Sequence, residues 1–375
     1  MNLFRNVLFL LALLLLGACH RSTDVPQNLR SVKVTVNKAS DEVCLSDYFS
    51  ASLVKLPHVD SVLVGEITRI HNKGNVIYLS DVSSVFKFSE EGRLVGKINR
   101  QGEAPDEYLN VSDFQIDDNG DVWILCRSNH SLYLYSWDNR LKKRYSVDLW
   151  IENIRLMKDK LLLYTGNEIS GDNACQLHVF DLSSGKVIRN FKSVDKHQSS
   201  YLFVKGANIF QGSPCDTLCY FSQLFNDTVY SLTPSTFFPM ITFDWDGKNI
   251  PSSFYEKNYD NIMDFFQHLH SSNAYAYGIN SFAVAKDGTL SVTYFYQGKC
   301  YCAVFFASDE KNPMVFSSFT ASCLPEGYRV DLSETSVYSQ DDGSWVIPLD
   351  MVSLSEHMEG ISADSNPILL MVKPR

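Results

Sequence analysis

Six times along this chain an apolar strand runs into a tight polar turn and out into a second apolar strand, and that recurrence limits the possible folds more than any other feature. The copies occupy residues 67–79, 114–125, 154–164, 209–220, 282–293 and 337–347. Their turns centre on Gly74, Gly120, Asp159, Asp216, Gly288 and Gly343. Asn119-Gly120, Asp287-Gly288 and Asp342-Gly343 supply the positive φ that a two-residue hairpin turn needs. After most hairpins comes a second, more polar pair, as in 85–88 with 94–98, 132–135 with 144–147, and 177–180 with 187–191. The unit is therefore four strands. Turn anchors are 39 to 72 residues apart, and a four-stranded repeat of about 40–50 residues is the period of a propeller blade.

The pattern predicts an all-β chain, a six-bladed β-propeller with four-stranded blades. The sixth unit reaches the C-terminus through 367–373 without a fourth strand of its own. Upstream of the first unit, Val32-Lys-Val-Thr-Val36 alternates cleanly. It is expected to pair into the last blade as the outer strand, which would remove a sheet edge and tie the chain ends together. The long interval before Gly288 holds one helical pattern. Ser253 and Glu256 have capping-box spacing, and Tyr255, Tyr259, Ile262, Phe266 and Leu269 recur at helical spacing. A single inserted helix near 254–270 is expected, either packed on the rim of the disc or serving as a lid or partner-docking element.

The first residues are of another kind. Arg5 precedes an unbroken apolar run from Val7 to Leu16. Ten residues are too few for a helix to span a bilayer, which takes about 20, but they suit the core of an export signal. Leu16-Gly17-Ala18-Cys19 follows at once, small residues before a cysteine in the manner of a bacterial lipobox. The expected order is a signal peptide over 1–18, lipid on Cys19 holding the chain to the membrane, a flexible tether over 19–30, and the propeller over 31–375. Acyl chains hold firmly because each buried methylene contributes about 0.8 kcal/mol. With 33 basic and 43 acidic residues and no basic run, the chain suits neither nucleic acid nor electrostatic membrane binding.

Chemistry is harder to find. No metalloprotease, nucleophile-elbow, phosphate-loop or dinucleotide motif is present. Asp117–Asp121 is acidic like a calcium loop, but it lacks the closing Glu and reads as a hairpin turn. The eight cysteines after Cys19 have no zinc spacing and leave core thiols or one or two disulfides open. Cys300 and Cys302 are expected on one strand, facing the same way. One polar residue stands just before the inner strand of each unit: Glu66, Asp113, Asn153, Asn208, Asn280 and Glu334. These form a candidate polar ring at the channel mouth, which either caps strand entries or, on a rival reading, holds a divalent metal. Tyr275, Tyr277, Tyr294, Tyr296 and Trp245 are candidates to line a sugar-stacking groove.

Between the first two units the chain reads Gly102-Glu103-Ala104-Pro105-Asp106-Glu107-Tyr108. With the preceding Phe88 and Gly92 and the following Phe114, this resembles the six-bladed β-propeller lipoproteins common in Bacteroidetes-type bacteria. Those proteins carry G-x-G-P-G-E-Y at this junction. Gly102, Pro105, Glu107 and Tyr108 match, while Ala104 and Asp106 replace two glycines. The resemblance implies a propeller in the cell envelope, at the outer membrane, and carries over no catalytic residue. The expected function is thus non-catalytic: a lipid-anchored scaffold, without cofactor, presenting one face to an envelope protein or glycan. The alternative is a metal-dependent hydrolase or lyase, lactonase-like, with its site in the channel.

Overall fold

The structure, a computed structural model, describes residues 29–36, 40–57, 62–169, 174–194, 208–213 and 217–375. Six sheets of antiparallel neighbours succeed one another along the chain as six blades. The innermost strands are Arg69–Lys73, Asp113–Ile116, Asn153–Met157, Phe210–Gln211, Ala276–Val284 and Tyr338–Ser339. Each blade then steps outward in chain order, and the first is complete with Val76–Ser80, Val85–Ser89 and Leu94–Ile98. Because the strands run up and down, connections alternate between two ends of the disc. Hairpin turns such as Gly120 and Gly343 gather at one end, the turn end. Longer loops between blades gather at the other, the loop end. The family-like motif at 102–108 is one of those loops.

The second strand of each blade is buried on both faces, because its alternate side chains serve different cores. Val122, Ile124 and Cys126 pack between blades one and two, while Trp123 and Leu125 pack between two and three. Leu161 and Leu163 join that second layer, and Leu162 and Tyr164 face blade four. Six such apolar layers lie between successive blades, including blade six against blade one. A seventh cluster, with Phe254, Phe265 and Leu269, sits under the inserted helices.

An N-terminal strand closes the last blade, but it is not 32–36. Phe49–Lys55 pairs with the C-terminal strand Ile368–Pro374, in register from Lys55 opposite Ile368 to Phe49 opposite Pro374. Arg30–Lys33 instead lies parallel to the outer strand of blade four, Phe237–Asp244, with Val32 opposite Phe243. Val34 and Val36 continue into the layer between blades four and five. Ser40–Cys44 then lies parallel to the outer strand of blade five, Asp309–Thr320. The segment from Arg30 to Lys55 thus straps three consecutive blades. Alternation marked 32–36 as a half-buried strand but could not say which of several outer edges it covers.

The expected single helix is two, and a third, Met351–Ser355, lies between the strands Trp345–Pro348 and Ile368–Pro374 of the last blade. Ser252–Tyr255 is one short turn, and Ile262–Ser272 is the second helix. Asn261 ends the gap between them by accepting from the backbone N–H of Met263 and Asp264. That is a stronger start signal than Ser253, which caps nothing, since the first helix has Pro251 at its cap. No helix among the described residues is long and apolar enough to cross a membrane. Cys19 and the leader lie outside the described residues, and the first strand begins at Arg30, the last residue assigned to the tether.

Two truncations test the closure. A chain beginning at residue 48 keeps Phe49–Lys55 and is expected to melt as one cooperative transition. A chain beginning at residue 57 leaves Leu369, Leu370 and Met371 without their outer neighbour and is expected to lose the transition and aggregate, as followed by circular dichroism and gel filtration. Equal melting of the two would mean that the closing strand is dispensable.

Candidate functional site

Side chains at the first and third positions of an inner strand point to the same side, by the period of two in a strand. Arg69 and His71, Asp113 and Gln115, and Asn153 and Arg155 occupy these positions in the first three blades, and all six line a pocket of about 10 Å³, room for about one water molecule. The channel is therefore filled by polar side chains rather than open.

Asp113 is the hub of one half. Its Oδ1 accepts from Arg69 Nε at 3.1 Å and from the Phe114 N–H at 2.9 Å. Its Oδ2 accepts from Asn153 Nδ2 at 3.1 Å and from the Ile154 N–H at 2.9 Å. A carboxylate has about four acceptor positions, so this one is saturated, and its donors come from blades one, two and three. Asn208 does the same on the other side. Its Nδ2 donates to the carbonyls of Val337 at 2.9 Å and Asn280 at 3.4 Å, joining blades four, five and six. Across the axis, Arg155 of blade three meets Asp341 of blade six as a two-pronged pair at 3.0 and 2.7 Å. Gly212 makes room for that pair, because a Cβ there would lie 1.6 Å from Asp341 Oδ1.

Of the six residues expected at the channel mouth, Asp113, Asn153 and Asn208 line this pocket, and Asn280 meets it through its backbone carbonyl. Glu66 is exposed, three residues ahead of the inner strand, whose first residue is Arg69. Glu334 is also exposed and lines a separate depression with Tyr328 and Asp350. The sequence reading missed Arg69, His71, Arg155 and Asp341. The first three could have been found by counting from the first residue of each inner strand in steps of two. Asp341 could not, since it lies past the short strand Tyr338–Ser339, in the turn.

Electrostatics follow from this packing. Burial, with the Arg69 charge nearby, lowers His71 to about 4, so the ring is neutral at ordinary pH. Burial pushes the Asp341 carboxyl up, but the Arg155 guanidinium and its hydrogen bonds prevail and hold it below the ordinary carboxylate range. No three His, Cys, Asp or Glu side chains among the described residues stand close enough to hold a metal ion. The seven described cysteines after Cys19 are free thiols, and Cys215 lies outside the described residues. Cys300 and Cys302 share the strand Lys299–Phe306, and burial raises the Cys300 thiol to about 12. Trp245, Tyr277, Tyr294 and Tyr296 are buried in the apolar layers, and Tyr275 is half-buried with its ring edge-on to Phe254 at 5.6 Å. They fill the core and do not line a sugar-stacking groove, because stacked strands must bury large rings on both faces.

Toward the turn end the channel widens to a cavity of about 430 Å³, with Arg155 and Asp341 at its narrow end and Lys73, Asp118, Lys158 and Asp342 in its walls. The loop end is different. Leu63, Val82, Leu109, Trp150 and Ile169 are exposed on its connections, and the Val111 N–H bonds to the Val82 carbonyl at 2.8 Å, which holds two of those loops together. Trp150 donates from Nε1 to Glu152 at 2.8 Å, with His130 edge-on at 5.6 Å and the Arg127 guanidinium 5.3 Å from its ring. Its orientation is thus set before anything binds.

The motif loop clasps blades one and two. Glu107 accepts from the Ala104 N–H at 3.1 Å and lies over Gly102, where a Cβ would come within 1.9 Å of its Oε2. Tyr108 is fully buried, donates to the Ser83 carbonyl at 2.9 Å and accepts from the Arg100 N–H at 3.2 Å. Arg144 of blade two donates to the Pro105 carbonyl at 3.0 Å. Neither Ala104 nor Asp106 has positive φ, which is why glycine is not needed at either.

Residues 29–373 match the model of a family described as Domain of unknown function (DUF4934). Among solved structures, a Bacteroides fragilis protein described as exported is 21% identical, with a TM-score of 0.73 over 93% of this chain and 100% of that one. A member of the duf4221 family from Bacteroides vulgatus is 8% identical, with a TM-score of 0.52 over 88% of this chain and 99% of that one. At these identities the likeness is one of fold. No curated protein matches the chain.

Substitutions in the hub separate buried from half-exposed charge. Asp113→Ala breaks a buried pair with Arg69 and is expected to destabilise by about 3–5 kcal/mol, read from urea unfolding. Asp341→Ala should cost less, because its side chain is 48% exposed. In the unfolded chain His71 takes a proton near pH 6.5, whereas in the fold it stays neutral until about 4. The unfolded state therefore binds the extra proton between those values, so stability present above pH 6.5 is lost as the pH falls. His71→Gln is expected to flatten the unfolding midpoint over that window; an unchanged slope would refute it.

Proposed function

The chain belongs to the family described as Domain of unknown function (DUF4934), and from that footing we propose that it is a lipid-anchored propeller of the bacterial cell envelope that docks a protein partner on its loop end without catalysis. Two observations support the anchor and the address. The apolar run at 7–16 leads through Gly17-Ala18 to Cys19, and the similar protein of Bacteroides fragilis is described as exported. On this reading the lipid on Cys19 holds the chain at the outer membrane.

The observation that carries the docking role is the contrast between channel and loop end. In the channel, Asp113 has its acceptor positions filled from within the protein, and Arg155 and Asp341 face each other. That leaves a weak footing for the metal-dependent hydrolase or lyase. At the loop end, Leu63, Val82, Leu109, Trp150 and Ile169 stay exposed, while the hairpin turns at the other end carry no such residue among those described, and Tyr48, exposed there just ahead of the closing strand, is already stacked on Phe306 at 5.5 Å. A pre-oriented tryptophan beside an arginine is the composition of a binding hot spot, where truncation to alanine costs about 2 kcal/mol or more.

Cross-linking and capture from envelope extract, using the full chain in its native membrane, tests both parts. Trp150→Ala combined with Leu109→Ala is expected to weaken capture of the partner about 30-fold, from about 2 kcal/mol, while Asp118→Ala at the turn end leaves it intact. Capture that ignores both changes would refute the docking face. Cys19→Ala should release the protein from the membrane fraction; continued membrane association would remove the anchor from the proposal.

A further inference from the structure

The turn-end cavity is a second surface that the docking role leaves unused. Its volume of about 430 Å³ lies within the range of about 300–1,000 Å³ typical of small-molecule sites. Three cations, Lys73, Arg155 and Lys158, and three anions, Asp118, Asp341 and Asp342, face it. Around the ring they come from blades one, three and three against blades two, six and six, so the signs alternate. Arg155 pairs with Asp341, and Lys73 reaches Asp118 at 3.4 Å. Opposite charges in equal number leave little field to gather either an anion or a cation.

The individual groups nonetheless offer hydrogen bonds. Asp341 is half exposed, and each of its oxygens takes one bond from Arg155, which leaves acceptor positions toward the cavity. Asp342 receives Ser344 on Oδ1 through both its N–H and its hydroxyl, which leaves Oδ2 for another donor. Lys158 is exposed at the rim and supplies donors. Leu156, Met157 and Leu218 form an apolar wall between them. A hydroxyl both donates and accepts, so a carbon ring bearing several can bridge interleaved carboxylates and ammonium groups without bringing charge, while its C–H face covers the apolar wall.

We propose that this cavity binds a neutral polyhydroxylated ring of monosaccharide to disaccharide size. The site is independent of the loop end, so either can fail alone. Calorimetry and saturation-transfer NMR on the full chain test it, with methyl glucoside, N-acetylglucosamine, lactose and cellobiose as neutral probes and glucuronate and glucosamine as charged ones. At about 10 mM, well above a weak Kd of about 1 mM, at least one neutral sugar is expected to saturate and to bind more tightly than the charged probes. Asp342→Asn and Lys158→Gly are each expected to weaken it about tenfold, the loss that one hydrogen bond to a charged group carries, at unchanged melting temperature. Asp118→Ala, at a cavity side chain 89% exposed that cannot upset the core, is expected to weaken sugar binding as well, and Trp150→Ala should leave it unchanged. The proposal is overturned if no neutral sugar saturates, if a charged probe binds more tightly, or if none of the three cavity variants weakens binding.

Discussion

Everything in this protein depends on the pairing of Phe49–Lys55 with the last strand of the chain. Each blade shares its apolar layers with its neighbours, so no blade owns a complete core. In a linear array the first and last blades would each leave one such layer facing water. Closing the ring turns the sixth layer, with Val54, Leu56 and Met371 against Ile70 and Phe86, into interior. At about 25 cal/mol per Å² of apolar surface removed from water, a layer of that size outweighs any single polar contact in the fold.

Closure also determines what the axis can be. Six inner strands converge there, and those of the first three blades present a polar side chain on every second residue. Those groups cannot stay buried without partners, since an unsatisfied polar group costs about 1–3 kcal/mol. The chain meets this by making them partners of one another across blade boundaries. Asp113 joins three blades, Asn208 joins the other three, and the Arg155–Asp341 pair crosses between the halves. The same arrangement leaves the two ends of the disc unlike each other, with charge and a cavity at the turn end and exposed apolar side chains at the loop end.

The straps on blades four and five reflect a related need. Outer strands are edges, and an unpaired edge invites another chain. Arg30–Lys33 and Ser40–Cys44 cover two of them before the chain enters blade six.

Much of this was legible from residues alone. Period-two alternation, Asn-Gly and Asp-Gly turns and the spacing of the units are local properties, so the amino-acid sequence by itself determined the strands, the count of six blades and the absence of a fourth strand in the last. It also marked Asp113, Asn153 and Asn208 by their shared place in the repeat, but in one set with Asn280, Glu66 and Glu334, of which the last two lie away from the axis pocket. It could not say that Val32 pairs with Phe243 rather than with the C-terminal strand, that Arg155 meets Asp341 from the opposite blade, or that Asn261 divides the inserted helix. Those are decisions of the tertiary structure. An edge strand reads the same whichever edge it covers, and a charge on an inner strand finds its partner only when the closed ring brings residues 186 positions apart to the same axis.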